Sequence, residues 1–362
     1  MPLANRGLSN LSHVASLNLH IIACRRARSS ATCVLRKLQP WAAMRAAITA
    51  LLCSTAAALV VPLQPARPAQ ALDIALHRVK DGASVHLGDA LAATTDRTLL
   101  CFGTHAAARA SARESNVATG LRARLNRLDS QWLIVAQDFN AIEYLQKVRF
   151  YLPRLRDAGV RRVACVLNAD AAQCRTLAEL LDVPDDVELF ADPTGAAGRK
   201  FGVSRGFRPD DGALSPYVKL FVVGIGLGPP WGTLLPVIRG YVGAPSGKRD
   251  WIEACMQQAQ RAGRVPEPLE LATDGSVAKN RFDDTPLLSD WGVRPFELAT
   301  MRLQNLIMQI SRYGELGPKD PRCLTQLGGM VIVGAGGEPE YAWLDQGLCD
   351  LPDFEDVLGA LS

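Results

Sequence analysis

Histidine is scarce and badly placed for catalysis: the chain has five, and none lies beyond His105. That gap excludes His-based nucleophilic triads and Cys/His zinc sites from the main body of the chain. Cysteine occurs nine times, yet no two are in C-x-x-C spacing, so neither a zinc-ribbon pair nor a paired redox dithiol is written into the sequence. Acid is missing from the N-terminal stretch. Up to Leu72 there is no Asp or Glu, against the bases Arg6, Arg25, Arg26, Arg28, Arg36, Lys37, Arg45 and Arg67. Removing those eight from the 40 basic residues leaves 32 against 36 acids, a net charge of −4. The basicity of the whole chain therefore belongs to its beginning. No basic stripe with interleaved aromatics remains, and no nucleic-acid partner is expected.

An Arg- and Ser-bearing, acid-free leader has the composition of an organelle transit peptide. Behind it Ala46 to Val61 carries no charge, and a Pro-rich stretch ends in Ala69-Gln70-Ala71. An apolar run followed by A-x-A has the form of a Sec-type signal, and 16 residues are short for a membrane span. Residues 1–71 are thus expected to be a removed targeting peptide. Two signals in series point to a plastid, with onward transfer to the thylakoid lumen or association with the thylakoid. Met44 offers a second start, which would leave a short signal suited to entry through the secretory pathway.

Within 72–362 short apolar runs alternate with amphipathic ones. "RTLLCFGT" (97–104) and "RRVACVLNA" (161–169) have the continuous apolar character of buried strands, and "QWLIVA" (131–136) is a further strand candidate. A helix is predicted over 139–157, because Ala141, Leu145, Val148, Leu152 and Leu155 form one apolar stripe. Pro153 is expected to kink its last turn. A second helix follows over 170–183 with Asp170 as its cap, then a strand at 187–195 and a short helix. Residues 203–290 break this rhythm. Leu220 to Ile238 is uncharged but holds Pro229-Pro230, which argues against a regular membrane span. Over 294–310 Ala299, Leu303, Leu306, Ile307 and Ile310 predict an amphipathic helix, with Arg294 and Glu297 as an ion pair or cap at its start. Residues 327–345 read as a β-hairpin, and "LPDFEDVLGAL" as a closing helix. Strands alternating with helices imply βαβ units in a parallel sheet. The order βαβα, insertion, ββα is that of an α/β, thioredoxin-like three-layer sandwich.

Four stretches, "DFNAIEYLQKVRFYLPRLRDAGV", "LFADPTGAAGRKFGVSRG", "RPFELATMRLQN" and "TQLGGMVIV", resemble the peroxiredoxin-like (AhpC/TSA-type) proteins of cyanobacteria and plastids. The resemblance runs from about Thr98 to the C-terminus. It implies the thioredoxin-like fold and a thiol-based antioxidant role. Peroxide-reducing members carry a cysteine at the N-terminus of the first main helix, some within C-x-x-C. Here that stretch is Asp138-Phe139-Asn140-Ala141, without sulfur. The resemblance therefore carries the fold and leaves the peroxidase role in question. In the relatives the strand end runs directly into D-F-N; here Gly103-Thr104-His105-Ala106-Ala107 is separated from Asp138. Residues 108–137 are then either a lineage-specific loop or a retained intron.

Two site residues stand out. Asp138 is either a plain helix cap or an acid at the old thiolate position. Cys349, after Gly347 and just before the last helix, is the candidate redox thiol, given dipole and exposure to activate it. Cys323 is a weaker second; Cys101, Cys165 and Cys174 read as packing. "VVGIGLGPP" (222–230) and "VIVGAGGE" (331–338) lack the helix that a dinucleotide loop needs after its glycines, so no cofactor is expected, nor a metal. The uncharged segment around Leu220, Phe221 and Trp231 either covers the sheet or docks on a partner or thylakoid membrane surface. The functions to be separated are a thiol redox protein and a non-catalytic scaffold or assembly factor.

Overall fold

The computed structural model describes residues 74–92, 96–103, 140–226, 232–264, 266–286, 288, 290–335 and 338–362. The leader, the 108–137 segment, "QWLIVA", Asp138 and Trp231 lie outside these residues. The described elements run β1 (Ala75–Arg78), β2 (Ser84–His86), α1 (Leu87–Ala92), β3 (Arg97–Gly103), α2 (Asn140–Asp157), β4 (Val160–Leu167) and α3 (Ala171–Leu181). They continue with β5 (Val187–Ala191), α4 (Ala196–Phe201), α5 (Pro216–Ile225), α6 (Leu234–Val242), α7 (Asp250–Arg261), β6 (Leu269–Leu271) and β7 (Val277–Asn280). The last are α8 (Glu297–Ser311), α9 (Tyr313–Leu316), β8 (Gly329–Val333), β9 (Pro339–Leu344) and α10 (Phe354–Ala360).

Seven strands form one sheet in the order β2-β1-β5-β4-β3-β8-β9. The central three, β5, β4 and β3, are parallel; β1, β2, β8 and β9 extend them antiparallel on the two sides. The central strands carry continuous apolar runs, Leu99–Phe102, Val163–Leu167 and Leu189–Ala191, because both faces are covered there. Leu99 and Cys101 of β3 pack with Val163, Cys165, Ile332 and helices α2, α3, α7 and α10. Leu100 and Phe102 pack on the other face with Ala164, Val166, Phe190 and the α4 residues Ala197 and Phe201. Helix, sheet and helix make the three-layer, thioredoxin-like α/β arrangement. β6 and β7 pair separately.

The apolar stripe of α2 behaves as its spacing requires, with Ala141, Leu145, Val148, Leu152 and Leu155 all buried. Asp170 accepts from the Gln173 backbone while the Gln173 side chain returns to the Asp170 N–H, a reciprocal cap at the start of α3. Arg294 and Glu297 are both buried and joined at 3.1 Å, and the Glu297 carboxylate also caps the Arg294 N–H.

Helix α8 corrects the expected stripe. Leu303, placed on its buried face, is 40% exposed, while Met301, Gln304, Asn305, Met308 and Gln309 are buried. Asn305 can replace an aliphatic residue there because it finds a partner: Asn305 and Gln146 of α2 exchange two hydrogen bonds at 2.8 and 2.9 Å, whereas Gln304 donates to the Pro266 carbonyl and leaves its own buried oxygen unpartnered.

Topology fixes where chemistry can sit. Gly329 of β8 lies opposite both Phe102 near the end of β3 and Leu344 at the end of β9. The loop after β9 therefore emerges at the same sheet edge as the start of α2.

Candidate functional site

The mouth of α2 is packed too tightly for any side chain at two glycines. A Cβ on Gly103 would stand 2.8 Å from the Ala141 Cβ, and one on Gly328 would stand 2.6 Å from an Asp345 carboxylate oxygen. Bare backbone at both places lets the β9–α10 loop press against the first turn of the helix.

Asn140, the first residue of α2, organises that contact. Its amide nitrogen donates to Asp345 Oδ2 and, at 3.3 Å, to the Gly347 carbonyl. Its amide oxygen accepts from the Cys349 backbone N–H at 2.7 Å. Tyr144, one turn along, donates its hydroxyl to Asp345 Oδ1 at 2.6 Å. Asp345 is buried, so a carboxylate lies where the unpaired N–H groups of α2 favour negative charge. The Tyr144 phenol is held well above its ordinary range, by burial first and by Asp345 second.

A second layer of charge lies one turn deeper. Glu143, 1% exposed, accepts two bonds from Arg302 of α8, at 2.8 and 3.1 Å, and has Lys147 Nζ at 3.8 Å. Arg302 also donates to the Cys349 carbonyl at 3.1 Å, and Lys147 to the Pro352 carbonyl at 2.9 Å. Burial alone would lower the Arg302 pKa; Cys349, Glu143 and Asp350 outweigh it and hold it above the ordinary guanidinium range. Burial lowers that of Lys147. From the other side Thr233 accepts the Leu348 N–H at 3.0 Å, and the Gln346 carbonyl accepts the Gly232 N–H at 2.6 Å. The loop that carries Cys349 is thus bolted to α2, α8 and the start of α6.

Cys349 differs from its expected setting in two ways. It is only 7% exposed, because that loop is clamped between helices instead of standing free. Its backbone bond runs to the start of α2, not to the closing helix, and it is held at a φ of 63°, a left-handed conformation unusual for cysteine. The long-range meeting of Cys349 with Asn140 and Arg302 had no sequence signal beyond the hairpin that returns the chain to this edge.

The described cysteines are all free and buried. Cys101 and Cys165 are register partners on β3 and β4; their mutual hydrogen bond, and then burial, push the Cys101 thiol far up. Burial raises Cys174 and Cys255 to about 12 and Cys323 to about 11. These values leave almost no thiolate at neutral pH, and the thiolate is the reactive form. Among the described residues no cluster of three or more His, Cys, Asp or Glu side chains could hold a metal, and no helix is long and apolar enough to cross a membrane.

Leu220, expected on a docking surface, is fully buried; the side chains of Phe221 and Trp231 lie outside the description. Among the described residues the large apolar groups that face outward are Val218, Ile238, Tyr241, Phe296 and Leu303. Tyr241 and Phe296 meet edge to face at 6.0 Å.

A family profile described as AhpC/TSA antioxidant enzyme matches residues 148–347. It takes in β4 to β9 and Asp345, and stops short of Asn140, Tyr144 and Cys349. No curated protein and no solved structure matches the chain.

Proposed function

The chain belongs to the AhpC/TSA antioxidant enzyme family, and we propose that it is a plastid thiol redox protein in which Cys349 serves in place of the missing family cysteine. The leader composition supports the plastid assignment. No cysteine occurs between Cys101 and Cys165, so neither α2 nor the segment before it supplies a thiol. The observation that carries the reading is the arrival of Cys349 at the α2 mouth within electrostatic reach of the Arg302 guanidinium. A helix N-terminus and a buried cation are the two surroundings that favour thiolate over thiol. The reaction is the ordinary one for such a group. The Cys349 thiolate attacks the terminal oxygen of a hydroperoxide, the O–O bond breaks with its electron pair leaving on the alkoxide or hydroxide, cysteine sulfenic acid forms, and a proton from solvent completes the alcohol or water. Two equivalents of a small thiol then return the cysteine, releasing water and a disulfide.

The rival reading is a non-catalytic scaffold that uses the fold to bind a partner at the thylakoid. It is favoured by the low exposure of Cys349 and by the outward-facing Tyr241 and Phe296. One assay separates the two: peroxide consumption by the purified chain with a thiol reductant, beside Cys349→Ser and a Cys323→Ser control. Consumption lost only in Cys349→Ser supports the redox protein. Absence of consumption in the intact chain, with no sulfenic acid trapped at Cys349, supports the scaffold.

A further inference from the structure

We propose that a cavity between α2, α3 and α7, remote from Cys349, binds a small organic anion through Arg149, with Arg264 behind its Gln258 wall as a second charge. The cavity has a volume of about 540 Å³ and is lined by Arg149, Glu179, Asp182, Gln257, Gln258 and Arg261, among others. That is within the usual size range for small-molecule sites. Arg149 lies nine residues after Asn140, about 13 Å further along α2 at 1.5 Å per residue.

The strongest pointer is Arg264, directly behind this wall. It is nine-tenths buried, its Nε has no hydrogen-bond partner, and among the described residues it makes no ion pair with a carboxylate. Its terminal nitrogens meet only neutral groups, the Met308 sulfur and the side-chain oxygen of Gln258. A buried guanidinium without an anion costs several kcal/mol. Arg149 adds to that cost, because its like charge lies close enough to depress Arg264, whose pKa burial and then Arg149 bring down to about 10. Cys255 and Asp182 act the other way without outweighing burial and Arg149.

Asp182 supplies only part of the counter-charge. Its carboxylate is 3.9 Å from Arg149 and 69% exposed, at the solvent end where screening is strong. Gln258 links the parts, donating to Asp182 Oδ2 at 2.9 Å and to the Leu180 carbonyl at 2.8 Å while its oxygen holds Arg264. An anionic head entering beside Arg149 would meet that guanidinium directly and Arg264 across the Gln258 side chain. Glu179 and Asp182 at the mouth would repel a polyanion and accept from hydroxyl or amino groups on the ligand's outer end. The chemistry selected is one phosphate or carboxylate head on a small body that carries donors.

The test is calorimetric titration of the full chain with succinate and with glycerol 3-phosphate, against sodium chloride at matched ionic strength. Saturable binding of either supports the site, and the one that binds identifies the head group. Arg149→Gln and Arg264→Met should each weaken it about tenfold or more, as expected when a charge-assisted contact is lost. Cys349→Ser should leave it unchanged, so that this site and the redox reading fail separately. Arg264→Met should also raise the melting temperature without ligand and abolish the rise that ligand gives the parent chain. If Arg264→Met does not fold, Arg149→Gln alone decides. Absence of binding by both ligands, or binding unchanged in the variants that fold, overturns the proposal.

Discussion

At the residue scale the α2 mouth is governed by the difference between a polar group that has partners and one that has lost them. Asp345 accepts from Asn140 and Tyr144 inside the fold, so Tyr144→Phe strips one bond from a buried carboxylate and puts nothing in its place. Bonds to charged groups are worth roughly 1.5–3 kcal/mol, and urea unfolding should show a loss in that range with an unchanged m-value. Glu143 and Arg302 pose the same problem with charge. Arg302→Met leaves Glu143 at 1% exposure with only Lys147 at 3.8 Å, and a loss of about 3–5 kcal/mol is expected. The double variant Arg302→Met with Glu143→Leu should recover part of that loss, because it removes the stranded charge as well. A double variant as unstable as the sum of the singles would show that packing, not charge, sets the cost. Asp138 shows what a sequence can raise and leave open. It lies outside the described residues, and the buried carboxylate that the structure places at the mouth of α2 is Asp345, over 200 residues away in the chain.

At the element scale, legibility followed the physics of the pattern. Helix α2 and the strands β3 and β4 were readable because apolar spacing decides them locally, and α3 because Asp170 and Gln173 form a complete cap within four residues. Asp170→Ala should cost about 1 kcal/mol in thermal or urea unfolding. Helix α8 was readable as a helix but not as a face. Its buried side holds Gln304, Asn305 and Gln309, and a polar residue looks solvent-bound until its partner on another element is known. The contrast gives a paired test. Leu303→Glu, at 40% exposure, should change stability by less than about 0.5 kcal/mol, whereas Met301→Ala, fully buried, should cost about 2–5 kcal/mol. Equal effects of the two would restore the face that spacing alone suggests. The strands β1 and β2 at one side of the sheet are only four and three residues long, too short for a period to show.

At the scale of the whole molecule, the segment between α4 and α8 is tied back to the body by one buried charge cluster. Asn280 at the end of β7 donates to Glu297 at 3.2 Å and to Glu253 of α7 at 2.8 Å, while Arg294 joins Glu297 to Asp283. Burial, reinforced by Glu253 and Asp283, lifts the Glu297 carboxyl from 4.5 to about 7 against the opposing pull of Arg249 and Asn280. A raised acid means that the folded chain holds this proton more tightly than the unfolded chain does. The contribution is therefore present in full below about pH 4.5, declines as pH rises towards 7, and is gone above it. At 1.36 kcal/mol per unit the swing is on the order of 3 kcal/mol. The exposed pairs act elsewhere and with the opposite sign. Glu355, held down by Arg154, and Asp320, held down by Arg322, stabilise above their ordinary values and lose that stability only as pH falls below about 4. The two windows scarcely overlap, so Glu297→Gln isolates the buried cluster. Its unfolding free energy should be nearly flat between pH 5 and 7, where that of the parent chain falls, and the two curves should run parallel below pH 4. A parent curve that rises across pH 5 to 7, or one that Glu297→Gln leaves unchanged, would mean that Arg294 keeps this carboxylate ionised and that the cluster joins the two parts of the chain as an ordinary salt bridge.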